Sequence, residues 1–130
     1  MVLEVERRES VAVVTISAEA ARNAFDSDSM SEISSTLNDL MDESSVRGIV
    51  LTGTGRFFCA GADIEEFQRS IEDGRIGPLV DDLTSILHPL QIRMRTDSTI
   101  LVAAINGAAA GGGLGLALAC DARVLSLIHI

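Results

Sequence analysis

Aromatic side chains and long apolar runs are scarce in this sequence. It contains no Trp or Tyr, and aromatics make up 3% of its 130 residues, so it offers few platforms on which nucleic-acid bases could stack. The formal net charge of −9 repels phosphate backbones, and we expect no nucleic-acid partner. The longest apolar run, 114–120, is interrupted by Gly115. It is too short to cross a bilayer, so we expect no membrane association.

Cysteine is also rare, and the two thiols lie far apart in the sequence. Cys59 and Cys120 form neither a CxxC pair nor a Cys/His cluster, so we expect no metal site and two reduced thiols. The first residues lack a basic segment followed by an apolar run. That pattern predicts no signal peptide and a cytoplasmic protein.

What the sequence does contain is apolar periodicity of two kinds. Hydrophobic residues make up 47% of the chain, enough for one domain with an aliphatic core. Strands are predicted at 2–6, 11–17, 47–52 and 100–105, the last two of a type buried on both faces. Helices are predicted from Met30 with Ser29 and Glu32 as a capping box, near Asp63, at 79–94 with a kink or restart at Pro89, and at 114–120. This order predicts an α/β fold with a mainly parallel sheet.

Two loops of small residues follow predicted buried strands and lead into helices. They read Phe-Cys-Ala-Gly-Ala-Asp-Ile at 58–64 and Asn-Gly-Ala-Ala-Ala-Gly-Gly-Gly-Leu at 106–114. Such loops can direct unpaired backbone amides at a ligand, and two converging amides would form an oxyanion hole. Tight packing of helices on a sheet would select the same small residues. The glycines fit neither a dinucleotide fingerprint nor a phosphate-binding P-loop, and no Gly-x-Ser-x-Gly elbow occurs.

Five motifs taken together resemble one enzyme family. They are Arg-Asn-Ala-Phe at 22–25, Arg-Gly-Ile-Val-Leu-Thr-Gly at 47–53, the two loops above, and Ala-Cys-Asp-Ala-Arg at 119–123. Their order and spacing resemble the first half of enoyl-CoA hydratase/isomerase (crotonase) proteins over roughly residues 2–125. The resemblance implies a crotonase-like spiral of ββα units and an acyl-CoA substrate with no cofactor besides the coenzyme A thioester. It also implies a homotrimer or hexamer for the whole protein.

The resemblance also assigns site residues. The two oxyanion amides fall on Ala62 and Gly112, which are the expected catalytic groups. Ala60, Gly61, Ala62, Asp63 and Ile64 match the segment that holds coenzyme A, with Gly112 beside the thioester. Arg22 would reach a coenzyme A phosphate, although an Arg in a polar loop is often only solvated. Asp63 is equally suited to capping the following helix.

Three departures from the family pattern keep other functions open. Gly115 stands where hydratases carry a catalytic Glu, the second carboxylate would lie beyond this chain, and Glu65 replaces a common Lys or Arg. Water addition uses paired carboxylates. An enoyl-CoA or aromatic-epoxide-CoA isomerase that uses a downstream acid is therefore an alternative, as is a non-catalytic acyl-CoA-binding paralogue. A Ser-His-Asp peptidase of the same fold is a third possibility.

The last residues do not match the family's continuation. We assign 1–125 to the N-terminal part of a crotonase-like domain and 126–130 to an atypical tail that indicates truncation. His129 then has no role, and His88 before Pro89 is expected to be structural. We expect this chain by itself to be inactive on enoyl-CoA.

Overall fold

The computed structural model describes residues 2–18 and 21–126. His129 and most of the atypical tail lie outside the described residues. Within them the chain forms, in order, β1 (Val2–Arg8), β2 (Val11–Ser17), α1 (Ser27–Asp42), β3 (Gly48–Gly53), β4 (Phe57–Cys59), α2 (Ile64–Glu72), α3 (Ile76–Thr96), β5 (Ile100–Ile105), β6 (Ala108–Ala109), α4 (Gly112–Ala119) and β7 (Ala122–Leu125).

The main sheet has five strands in the order β1-β2-β3-β5-β7. β1 and β2 form an antiparallel hairpin, whereas β2, β3, β5 and β7 are parallel to one another. A second sheet consists of β4 and β6, also parallel. The prediction of an α/β fold with a mainly parallel sheet is therefore confirmed. Because the parallel strands share a direction, the segments after β2, β3 and β5 leave the sheet at the same edge.

The core lies between one face of the main sheet and the helices. Inward-facing aliphatic residues alternate along β2, β3 and β5, and they meet the apolar faces of α1 and α3. The other face is only partly covered, as Val50 and Val102 illustrate. The prediction that β3 and β5 would be buried on both faces is therefore wrong, because the helices pack on one side.

Helix α1 begins earlier than its apolar pattern predicts. Asp26, not Ser29, is the N-cap: its carboxylate accepts a hydrogen bond from the Ser29 amide at 2.8 Å, and the Ser29 hydroxyl accepts one from the Asp26 amide at 2.8 Å. The predicted capping box of Ser29 and Glu32 is therefore wrong by one helical turn. The backbone hydrogen bond from Ser29 also lowers the pKa of Asp26, since it stabilises the ionised carboxylate.

Two loops are shorter than predicted. The β1–β2 hairpin turns through Glu9 and Ser10 alone, because Arg7 and Arg8 pair with β2. Helix α3 begins at Ile76, so Pro78 lies in its first turn, where a missing amide costs no hydrogen bond. The helix then continues through Pro89 as a single element, and the predicted restart at that residue is wrong.

Candidate functional site

The first small-residue loop lies beside the segment that carries Arg22. The Ala60 amide donates to the Arg22 carbonyl at 3.1 Å, the Phe25 amide to the Gly61 carbonyl at 2.8 Å, and the Asp63 amide to the Phe25 carbonyl at 2.9 Å. In such a parallel bridge, successive peptide groups point to opposite sides. The Ala62 amide therefore points away from Phe25, and no acceptor among the described residues bonds to it.

Asp63 ends this loop and starts α2. Its carboxylate accepts a hydrogen bond from the Glu65 amide at 2.9 Å, which is the geometry of an N-cap. The predicted helix start near Asp63 is confirmed. The capping interpretation of Asp63 is also confirmed, and it leaves one carboxylate oxygen free for another partner.

The second small-residue loop runs alongside the first. β4 and β6 pair in parallel, and the Ala110 amide donates to the Cys59 carbonyl at 3.1 Å. Gly111 then adopts a φ of 52°, and α4 begins at Gly112, two residues before its predicted start. Gly112 is the first helical residue, so its amide has no partner within the helix. Among the described residues no other group accepts from it either.

Gly61 and Gly112 bring the two loops close together. A Cβ atom on Gly61 would lie 2.8 Å from the Ala110 carbonyl oxygen and 3.1 Å from the Gly112 nitrogen. Because three covalent bonds separate that position from the Ala62 nitrogen, the Ala62 and Gly112 nitrogens lie within roughly 7 Å of each other. Gly61 also has a φ of 91°, which a residue with a Cβ rarely adopts. The two unpaired amides thus belong to neighbouring segments of different loops.

A cavity of about 330 Å³ opens on the outer side of the first loop. Its lining includes five of the residues predicted to bind substrate, namely Arg22, Ala60, Ala62, Asp63 and Ile64. Gly61 and Gly112 are not among the lining residues. The volume is at the lower end of the range of small-molecule sites. The side chains of Arg22 and Ile64 are exposed, so a ligand there would lie close to the surface.

Two asparagines hold the turn between β3 and β4, and neither role was predicted from the sequence. The Asn23 side-chain amide is fully buried, donating to the carbonyls of Thr54 at 3.1 Å and Phe57 at 2.7 Å. The Asn106 amide donates to the same Phe57 carbonyl at 3.1 Å and accepts from the Gly53 amide at 3.0 Å. These contacts fix where β4 begins, and so position the loop that carries Ala62. Both residues stand in motifs that the sequence singled out, but their partners lie far away in the sequence, so no local pattern revealed their roles.

Cys59 belongs to the first loop, and its side chain is buried rather than presented to a ligand. It is fully buried, and burial raises the pKa of its thiol to about 11, partly offset by a hydrogen bond from the Gly61 backbone. Gly113 packs so closely on the Cys59 carbonyl that a Cβ there would overlap it.

Within the described ranges, no group of three His, Cys, Asp or Glu residues could hold a metal ion. No helix there is long and apolar enough to cross a membrane.

A family model and many known proteins match this chain. The model described as enoyl-CoA hydratase/isomerase matches residues 6–127. The short-chain-enoyl-CoA hydratase of Clostridium acetobutylicum is 36% identical over 124 residues, covering 93% of this chain and 45% of that protein. A probable enoyl-CoA hydratase of Bacillus subtilis is 41% identical over 116 residues, covering 88% and 42% respectively.

Solved structures give the same result. An enoyl-CoA hydratase from Bacillus anthracis superposes with a TM-score of 0.83 at 30% identity. The superposition covers 95% of this chain and 46% of the chain of that hydratase. One from a Polaromonas species superposes with a TM-score of 0.84 at 29% identity, covering 95% and 48% respectively. This chain thus spans somewhat less than half the length of the curated relatives described above.

Proposed function

Because this chain belongs to the enoyl-CoA hydratase/isomerase family, we propose that it binds an acyl-CoA thioester with the amides of Ala62 and Gly112 donating to the carbonyl oxygen. The crotonase-like fold predicted from the five motifs is confirmed by the solved structures. The observation that carries the proposal is the close approach of two unpaired amides from separate loops.

The proposed chemistry is stabilisation of negative charge on the thioester oxygen. When a proton leaves the carbon next to the carbonyl, or a nucleophile adds to the conjugated double bond, charge moves onto that oxygen as an enolate. Two amides fixed beforehand stabilise this charge without reorganisation, and one such donor contributes about 10²–10³ in rate. The N-terminus of α4 adds a favourable dipole at Gly112. The proposal requires no cofactor besides the thioester.

The coenzyme A portion is proposed to occupy the cavity beside Arg22. Its lining by Ala60, Ala62 and Ile64 brings a ligand close to the backbone, and the Arg22 guanidinium is exposed for pairing with a phosphate. Acyl-CoA would then run from this cavity towards Gly112. A homotrimer or hexamer for the whole protein and a cytoplasmic location stay predictions from the resemblance and the sequence.

A second candidate function is favoured by Gly115. Helix α4 carries no titratable side chain, so it supplies neither an acid nor a base beside the proposed oxyanion hole. Hydration by paired carboxylates would need both from elsewhere. Isomerisation needs only a single acid, and acyl-CoA binding without catalysis needs no ionisable side chain on α4.

The first test compares Gly61→Ala with Gly74→Ala. Both glycines have a positive φ, of 91° and 70°, but a Cβ on Gly74 meets nothing within 4 Å. Both variants therefore carry a backbone penalty for a positive φ, whereas only Gly61→Ala pushes the two loops apart. Calorimetric titration with a saturated acyl-CoA should give a roughly 10-fold weaker Kd for Gly61→Ala, in line with the loss of one hydrogen bond.

Free coenzyme A serves as the matched ligand because it lacks the thioester carbonyl. Its Kd should be the same in Gly74→Ala and the natural sequence, and should change less in Gly61→Ala than the Kd of the acyl-CoA does. Absence of acyl-CoA binding by the natural sequence would contradict the proposed function. Equal acyl-CoA affinity in the two variants would contradict the role of the two amides.

A further inference from the structure

Gln91 of α3 occupies the space that a side chain at position 115 would take. A Cβ atom on Gly115 would lie 2.7 Å from the Gln91 Nε2 atom. Gln91 is partly buried, and none of the hydrogen bonds among the described residues uses its side-chain amide. Among the described residues no buried side-chain nitrogen or oxygen lacks a partner, so this carboxamide is accessible to water or to a ligand. The absence of a side chain on Gly115 is what admits it.

This amide lies over the first turn of α4. Side chains of a helix lean towards its N-terminus, so the space above Gly115 covers the turn that begins at Gly112. Leu87 lies one turn before Gln91 in α3, and its Cδ2 atom would be 3.3 Å from a Cβ on Gly112. Leu87 and Gln91 thus both face the first turn of α4, with Leu87 beside Gly112 and Gln91 beside Gly115.

The surroundings of Gly112 are otherwise apolar. Phe25 and Leu87 are both buried, and the Phe25 ring would be 2.6 Å from a Cβ on Gly112. An acyl chain attached to a thioester at Gly112 would meet these two side chains first. Gln91 then presents a donor and an acceptor at the edge of an apolar surface, an arrangement that fixes orientation and specificity in ligand sites.

We infer that Gln91 is a specificity-determining residue that hydrogen-bonds an oxygen carried by the acyl group near its reacting carbons. This inference rests on the proposed function and deepens it. The preferred ligand class is an acyl-CoA with a hydroxyl, carbonyl or ring oxygen close to the thioester. A carboxamide can donate and accept hydrogen bonds, but it does not ionise near neutral pH. Gln91 therefore binds and orients the acyl group and does not act as an acid or base.

The test is a binding comparison between a 3-hydroxyacyl-CoA and the saturated acyl-CoA of equal length. The natural sequence should bind the hydroxylated ligand more tightly. Gln91→Leu keeps the side-chain size and removes the hydrogen bond, so it should weaken the hydroxylated ligand by roughly 2- to 10-fold and leave the saturated one unchanged. Gln68→Leu is the matched control, because Gln68 is exposed on α2; it should change neither Kd.

A second variant keeps Gln91 but moves its amide. Gly115→Ala places a methyl group against Nε2, so it should reduce the preference in the same direction as Gln91→Leu. Equal affinities for the two ligands in the natural sequence, or an unchanged preference in Gln91→Leu, would overturn this inference alone. Failure of both ligands to bind the natural sequence would overturn the proposed function and this inference together.

Discussion

At the scale of single residues, the two cysteines connect burial with a measurable reactivity. Burial raises the pKa of Cys59 from 9.0 to about 11, and burial with the nearby charge of Asp121 raises that of Cys120 to about 12. At pH 8 the folded chain should react slowly with a thiol-specific disulfide reagent, since the thiolate is the reactive form. Both thiols should react rapidly in denaturant. Fast labelling of the folded chain would contradict the burial of these residues.

The same thiols make the free energy of unfolding depend on alkaline pH. The pKa values are raised on folding, so above pH 9.0 the unfolded state loses its thiol protons first. The stabilisation is fully present below pH 9.0 and is lost as pH rises towards about 11 for Cys59 and about 12 for Cys120. Denaturation at several pH values would measure this decrease, and Cys59→Ala should reduce its size.

The candidate site could be predicted only where its chemistry is local. The two loops were identified from their small residues, the positions Ala62 and Gly112 were assigned from the family resemblance, and Asp63 was identified because it precedes a helix. Asn23, Asn106 and Gln91 were missed because their roles depend on partners distant in the sequence. Asn23 bonds to Thr54 and Phe57, more than thirty positions away, and Gln91 contacts the space beside Gly115. No local pattern distinguishes such side chains from solvated ones.

At the scale of the elements, Pro89 is the main irregularity. It lies inside α3 with its side chain exposed, so it lacks one helical hydrogen bond without contributing to the core. A proline in a helix interior costs about 3 kcal/mol relative to alanine, a net difference that already includes its restriction of the unfolded chain. Pro89→Ala should therefore raise the free energy of unfolding by up to about 3 kcal/mol in urea denaturation.

His88→Ala provides the control for this helix. His88 is also exposed and precedes Pro89 directly, so its replacement should change stability by less than about 0.5 kcal/mol. A destabilised Pro89→Ala variant would indicate that the proline fixes a bend on which the packing of α3 depends.

Element order and type followed from periodicity, whereas short strands and helix ends did not. β4 and β6 have three and two residues, too few to show alternation. They form because the two loops pair with each other. The start of α1 was misplaced because Ser29 resembles a cap in sequence, while Asp26 occupies that position in space. The restart predicted at Pro89 was wrong because the tendency of proline to end helices is a local signal. The buried face of α3 continues past that residue, and its packing keeps the helix in one piece.

At the scale of the whole molecule, the two edge strands of the main sheet differ in how many charged side chains they expose. β1 exposes Glu4, Glu6, Arg7 and Arg8, whereas β7 consists of Ala-Arg-Val-Leu with every residue exposed. Leu114 and Leu118 of α4 are also exposed. Among the described residues β7 is an edge strand with apolar side chains beside it, an arrangement that favours association, so this chain should self-associate as its concentration rises. Sedimentation velocity would measure the effect.

Lysine substitutions on each edge would show which of the two edges is responsible for self-association. Val124→Lys and Leu118→Lys should each weaken self-association, because they place charge on the apolar surface. Val5→Lys lies on β1, the opposite edge, where Val5 is 42% exposed, and it should leave association unchanged. A chain that stays monomeric at all concentrations would contradict this prediction. The expectation that this chain alone is inactive on enoyl-CoA stays a prediction.

The candidate site consists largely of main-chain atoms, and this determines which substitutions it can accept during evolution. Around Ala62 and Gly112, what has to persist is empty space: a single added carbon at position 61 or 113 meets a neighbouring carbonyl. Side chains nearby can diverge while the two amides keep their places. The relatives at 36% and 41% identity illustrate how far sequences in this family drift. Selection at such a site acts less on which groups are present than on which atoms are kept out.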